Sequence, residues 1–489
     1  MKKFWLVLLS LGLVMAFSAQ AFAVDVKVSA TFYEAGMYQD KISFAKNGYY
    51  VNSAGSLVPD NGGPSTAFFY QRLRVQTDLI LSPSLKLITR FDAMERIWGG
   101  ARSAPDTTTD IQSSGTRAEN ENIAFDWAYL EYTSPIGMFD VGYMDDGGWG
   151  TIFGDSSVPR GIVSWAAQQG PWTAFFQILK INDNSNSAVH VTNVTDNDTD
   201  KYQAGFMYET KGFQTGLLGI YYRDASNRPI FSPGTSGYPP TGTDMGVTAN
   251  VFVLQPYAIV NIGPVKLQAE LDYAWGSIKA DIPPAYLFGN DLKVDNLAGW
   301  IDATVNLKQF YFGGSIAYVA GSDFHKFASD GTIKGGFLTG GMDWNPTLIL
   351  FNNERNYWAG AIRGNAGSST NNNYLGNLFG LNDTGMYNAW FLQGRVGVRP
   401  VDKLDVQASV SHAVADSTSW EGNLVGYPDF VSDNYGTEID LIATYKITNN
   451  LSYMAGFGYL FTGDYFKGID ANVDVRDNYL FLNKITLTF

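Results

Sequence analysis

The sequence predicts an all-β protein, a transmembrane antiparallel β-barrel of about 18 strands, within a range of 16–18. Three observations carry that prediction. Segments of roughly ten residues with alternating apolarity recur along the whole chain. The connections between them alternate strictly between short and long. Charged residues make up only 16% of the chain while aromatics reach 15%, whereas a soluble domain carries about 25% charged residues. Much of the surface therefore faces something other than water.

In chain order the alternation predicts strands over 25–36, 66–82, 84–97, 122–134, 137–145, 160–169, 171–182, 201–210, 212–224, 246–262, 264–277, 294–307, 309–321, 387–400, 402–415, 435–447, 450–463 and 477–489. The short connections carry Pro, Gly and Asn, as in Ser82-Pro83-Ser84, Gly170-Pro171, Lys211-Gly212, Gly263-Pro264 and Thr448-Asn449-Asn450, the residues tight turns demand. The long ones run through 37–65, 98–121, 146–159, 183–200, 225–245, 278–293, 322–386, 416–434 and 464–476 and are rich in Asn, Asp, Ser, Thr and Gly. Short periplasmic turns and long extracellular loops alternate in this way in membrane barrels, and an even strand number returns both ends to the same side. The segment 322–386 is too long for an ordinary loop. Its stretch from Gly335 to Phe351 is apolar enough to fold inward and narrow a pore, or to pack on itself outside.

Lys2 and Lys3, the apolar run from Phe4 to Phe17 and the motif Ala21-Phe22-Ala23 read as a signal peptide over 1–23. A single barrel is then expected over 24–489. Few residues precede the first strand, so no plug domain is expected. There is no cysteine, so stability comes from strand closure rather than disulfides. The net charge of −14 argues against a nucleic-acid partner, whose phosphates require cationic side chains.

A charge on the lipid face costs roughly 2–4 kcal/mol at the midplane, so the charged rows must point into the barrel. That reasoning assigns Arg72, Arg74 and Asp78 to the lumen in one strand, and Arg90, Asp92 and Arg96 in the next, opposite outward Leu85, Leu87, Phe91 and Ile97. Further along, Glu270, Asp272, Asp302, Arg395, Arg399, Glu438, Asp440 and Lys446 point inward by the same alternation. Arg72, Arg74 and Arg90 lie on neighbouring strands and form a candidate basic wall. A polar lumen in a barrel of 16–18 strands holds water, so the expected activity is passive diffusion of small hydrophilic solutes or ions. A barrel closed by the 322–386 loop, acting as a receptor, adhesin or structural protein, is the alternative.

The last strand ends in Phe489 after an alternating run of Tyr479, Phe481, Ile485 and Leu487. This resembles outer-membrane barrels, whose terminal Phe is read by the barrel-assembly machinery. The stretch from Gly436 to Asp464 is similar to the closing hairpin of the alginate-export family, at Glu438, Asp440, Tyr445, Lys446, Asn450, Leu451, Phe461, Gly463 and Asp464. That resemblance implies an 18-stranded barrel with an arginine-lined pore for an anionic polysaccharide, although the mid-chain acids depart from a uniformly basic pore. The chain also resembles general porins of Gram-negative bacteria, with Arg72 and Arg74 in the place of the basic wall and 322–386 in that of the constriction loop. These resemblances imply export to the outer membrane, contact with its lipid and lipopolysaccharide, and homotrimers as one assembly.

No enzymatic chemistry, cofactor or metal site is expected. The three histidines are His190, His325 and His412. Ser411 and His412 are adjacent in a strand and so face opposite ways. No phosphate-binding glycine loop or zinc spacing is present, and the acidic run 196–200 reads as a solvated loop.

Overall fold

The computed structural model describes residues 24–51, 57–60, 65–99, 123–156, 158–183, 198–226, 247–280, 291–370 and 385–489. The expected signal peptide over 1–23 and His190 lie outside them. Eighteen barrel strands follow the chain: β1 (Asp25–Gln39), β2 (Thr66–Ser82), β3 (Leu85–Ile97), β4 (Ile123–Ser134), β5 (Gly137–Asp145), β6 (Pro159–Gln169), β7 (Trp172–Asn182), β8 (Thr199–Thr210), β9 (Phe213–Asp224), β10 (Val247–Ile262), β11 (Val265–Ala280), β12 (Leu292–Leu307), β13 (Phe310–Val319), β14 (Ala389–Val401), β15 (Leu404–Ala415), β16 (Asn434–Lys446), β17 (Leu451–Thr462) and β18 (Asn478–Thr488). Each pairs antiparallel with its sequence neighbours. β1 closes the ring on β18, from Thr31 opposite Thr488 to Gln39 opposite Leu480. Closure leaves no strand edge, the condition for crossing a bilayer with strands.

The two-residue turns set the register. Gly170 and Gly263 take φ of +59° and +57° before Pro171 and Pro264, the positive φ a two-residue hairpin needs at its first position. Alternation then sorts the faces. On β11, Leu271 is 47% exposed while its neighbour Glu270 is 4% exposed. Leu267, Tyr273 and Trp275 on β11, Leu297 and Ile301 on β12, and Leu392 and Val396 on β14 are likewise exposed. These form an apolar outer belt suited to lipid. An aromatic row crosses it near the long-loop end, where Tyr202, Tyr221, Phe252 and Trp275 stack in succession at 6.2, 5.0 and 5.8 Å.

One face assignment is corrected. Met94 on β3 adopts φ +52°, and the pairing with β2 slips between Leu73–Ala93 and Gln71–Arg96. This bulge inverts the alternation beyond it. Glu95 and Ile97 therefore turn inward, Ile97 onto the interior core. Arg96, expected in the lumen, falls instead on the outer row that holds Phe69 and Trp98.

The hydrophobic core sits inside the barrel, towards the long-loop end. Small inward residues, Ala35, Ala298, Ala317, Ala389 and Ala413, leave room for the segment 320–370 and its neighbours. That segment carries two short helices, α1 (Phe324–Asp330) and α2 (Asn353–Ala359). Asp323 caps α1 by accepting from the Lys326 amide, and Asn352 caps α2 through Arg355. Phe324 and Phe327 pack against Ala274, Ile278 and Val294 of the wall. Beyond them Ile349, Leu350 and Phe351 are fully buried. Phe351 lies edge-on to Phe391 and Tyr435, and Trp358 stacks on Tyr70 at 4.5 Å.

Candidate pore lining

Among the described residues, two long connections enter the barrel. The shorter, 146–156, leaves β5 and reaches across to β10 and β11. Its Trp149 indole donates to the Gln255 carbonyl at 2.9 Å. The Thr151 amide and hydroxyl both donate to one oxygen of Glu270, at 2.5 and 2.6 Å. A Cβ on Gly154 would lie 2.4 Å from the other Glu270 oxygen, so a side chain there would shift the carboxylate. The longer connection, 320–370, is held in the same way from the opposite wall. Glu438 accepts the amides of Ile349 and Leu350 at 2.7 and 2.8 Å, one on each oxygen. In each case the anchor is the first acid of a Glu-x-Asp pair on one face of a strand, with Asp272 and Asp440 as second members.

The two segments are also joined to each other. Gly341 donates to the Phe153 carbonyl at 2.5 Å, Asp343 to the Asp155 carbonyl at 3.1 Å, and Met342 to the Ser156 hydroxyl at 3.0 Å. This brings the carboxyls of Asp155 and Asp343 together. Burial, and then the charge of Asp343, push the Asp155 carboxyl up to about 6.

The expected basic wall is present but matched by acids. Arg74 grips Asp92 with two bonds of 2.7 Å and reaches Asp126 at 3.3 Å. Arg72 meets Glu95 at 3.4 Å. Arg90 meets Asp126 at 3.3 Å, with its guanidinium 3.5 Å from the centre of the Trp127 ring. Three arginines thus face three carboxylates. Asp302 is tied to Arg395 at 2.7 Å and to the Ser315 hydroxyl at 2.6 Å. Arg399 pairs with Asp405 at 2.7 Å across the Tyr311 ring, near a short turn. Asp78 accepts from Gln76 at 3.0 Å, Asp272 from Gln255 at 2.9 Å, and Lys446 is exposed at the short-turn end. The inward charges therefore do not converge on one site. They divide into an ion-paired patch on β2–β4, loop anchors on β11 and β16, and a paired patch on β12–β15.

Several inward residues escaped sequence reasoning. Asp126 sits at a bulge where Arg90 opposes Trp127 and Phe91 opposes Phe125, so simple alternation misplaces it. Glu95 is concealed by the Met94 bulge. The inward course of 146–156 had a signal in Gly147-Gly148-Trp149-Gly150, an aromatic among glycines in an otherwise polar class of loops. Between this segment, the wall β5–β10 and Phe337–Leu338 there remains a cavity of about 650 Å³. Ser411 is buried against Gln393, while His412 is exposed beside Thr437, so the two face opposite ways. Of the acidic run 196–200, Asp198 and Asp200 hold Lys180 at 2.9 and 2.7 Å, and Asp196 lies outside the described residues.

No protein-family profile and no curated protein matches the sequence. Among solved structures, the chain is similar to OccK11 (OpdR) of Pseudomonas aeruginosa, at 12% identity and a TM-score of 0.46 over 95% of this chain and 96% of that one. It is similar to OprD of Pseudomonas aeruginosa, at 9% identity and 0.47 over 95% of each chain. It is also similar to a loop-deleted form of OmpT, an outer membrane protein of Vibrio cholerae, at 9% identity and 0.40 over 96% of this chain and 100% of that one. The resemblance to the alginate-export family rests on its closing hairpin alone.

Proposed function

We propose that this chain is an outer-membrane channel passing small hydrophilic solutes or ions through a lumen narrowed by two inward loops. The observation that carries the reading is the cavity of about 650 Å³ left between 146–156 and the β5–β10 wall, inside a closed barrel of apolar exterior. A barrel of this strand number is wide enough to hold water, and the inward polar rows give it a hydrated lining. Because the arginines of β2–β4 are matched by acids, that wall exerts little net field, and ion preference should be modest. The deciding experiment is single-channel recording of the refolded chain from Val24 in a planar bilayer under a salt gradient. Steady open steps are expected. Folded protein that passes no current would replace the channel with a closed barrel. The apolar packing around Phe351 favours that second reading, with the exposed loops then serving as the receptor surface.

A further inference from the structure

The cavity beside Trp149 has two chemically different walls. One is aromatic. The Trp149 ring lies 5.5 Å from Phe175 and 5.2 Å from Tyr257. Its indole nitrogen is tied to the β10 backbone, and a Cβ on Gly216 would approach the Cη2 edge of the ring to 2.8 Å. The ring is thus seated against the wall as a fixed platform rather than a mobile side chain.

Elsewhere, among apolar residues such as Leu218 and Val253, the lining carries a row of neutral polar groups. Ser164, Gln177 and Gln203 oppose one another in a single register row across β6, β7 and β8. They form a chain in which Gln203 donates to Gln177 and Gln177 donates to Ser164. Ser164 is 4% and Gln203 8% exposed, so these are built-in polar groups rather than surface ones. Each amide has two donor hydrogens and an acceptor oxygen, and the chain uses only part of that capacity. Charge is nearly balanced along the cavity. Lys201 is held by Asp146 at 2.7 Å, and Arg160, Asp140 and Asp145 also line the cavity, giving two cationic and three acidic side chains.

We infer that this cavity is a binding site for a neutral polyhydroxylated solute of sugar size. The inference rests on the channel reading for its access route. An aromatic plane takes the apolar C–H face of such a ring. Amides that both donate and accept suit hydroxyls that do the same. Balanced charge gives an ionic solute no advantage. The volume falls within the roughly 300–1,000 Å³ of small-molecule pockets.

The test uses the refolded barrel and two readouts. Sucrose is titrated by calorimetry, with arginine hydrochloride and sodium glutamate as charged probes, and sucrose is added to single channels. Saturable sucrose binding with transient current interruptions is expected. Trp149→Phe should keep binding, while Trp149→Ala and Gln177→Leu should each weaken it about tenfold. Gln177→Leu removes no ring contact of the loop, so it tests the site even if Trp149→Ala fails to fold. A conducting channel that neither binds nor is interrupted by sucrose overturns the site and leaves the channel standing. Sucrose binding without conductance keeps the site and overturns the channel. Preferential binding of arginine or glutamate, or unchanged affinity in Gln177→Leu, overturns the assignment.

Discussion

The segments 146–156 and 320–370 use the same latch and produce different results. Both enter the lumen and both offer backbone amides to a buried wall glutamate, Glu270 and Glu438 respectively. The shorter one carries a single tryptophan and three glycines between 147 and 150, and it leaves a cavity between itself and the wall. The longer one brings Leu348, Ile349, Leu350, Phe351 and Trp358 and fills its side of the barrel. The latch fixes where a loop crosses, while the side chains beyond it decide whether water remains.

The largest effect should come from removing the fill while keeping the latch on the other side. Replacing residues 341–366 with a short glycine-serine linker should raise single-channel conductance several-fold, because the apolar packing against Phe391 and Tyr435 disappears. Unchanged conductance would mean that this half of the lumen does not limit flow, and the comparison would lose its basis.

The anchors themselves come next. Glu438→Ala leaves two buried amides without acceptors. Charge-assisted bonds are worth about 1.5–3 kcal/mol each, so the loss should be roughly 3 kcal/mol or more. Glu270→Ala leaves one buried amide without its acceptor and a hydroxyl that can rotate to another partner, and should cost about 2 kcal/mol. Urea unfolding followed by the gel shift of the folded barrel reads both. Equal costs would indicate that the apolar fill adds nothing to the latch. Glu270→Ala should nonetheless give the noisier channel, since 146–156 borders the open cavity whereas 320–370 is packed into the core.

The junction between the loops is expected to respond to pH. Asp155, raised to about 6 by burial and by Asp343, is protonated below that pH and ionised above it. The protonated form suits a half-buried Asp155 beside Asp343, so the junction is tightest in acid. As pH rises through about 6, a second charge appears beside Asp343 and the junction loosens. Open-channel noise should therefore increase between pH 5 and 7, as roughly set by that value. Asp155→Asn should hold the quiet behaviour throughout. Noise independent of pH in the unaltered channel would remove Asp155 from the junction's energetics.

The barrel was legible in the sequence because its causes are local. Period-two apolarity sets each strand, and Gly-Pro or Asn-rich turns set each short connection. Boundaries accordingly fall within three residues of expectation. The lining was less legible, because it depends on pairs far apart in sequence and on small irregularities. A single positive φ at Met94 moved Arg96 out of the lumen and brought Glu95 in. A bulge at Asp126 supplied the third acid of the arginine cluster. Glu270 and Glu438 were placed inward by alternation, but nothing in the strand sequences announced that loops from across the barrel would donate to them.

The smallest effect concerns the arginines, and it turns on those irregularities. Arg72, Arg74 and Arg90 are matched by Asp92, Glu95 and Asp126. Replacing only the arginines with glutamine exposes three acids and should move the reversal potential towards cations. Replacing the three acids as well, with asparagine or glutamine, should return it close to its original value, because the patch contributes little net charge when intact. A sixfold variant that still differs strongly from the unaltered channel would mean that the pairs leave a local field in the path. The β2–β4 wall would then rank with the two loops in setting what passes.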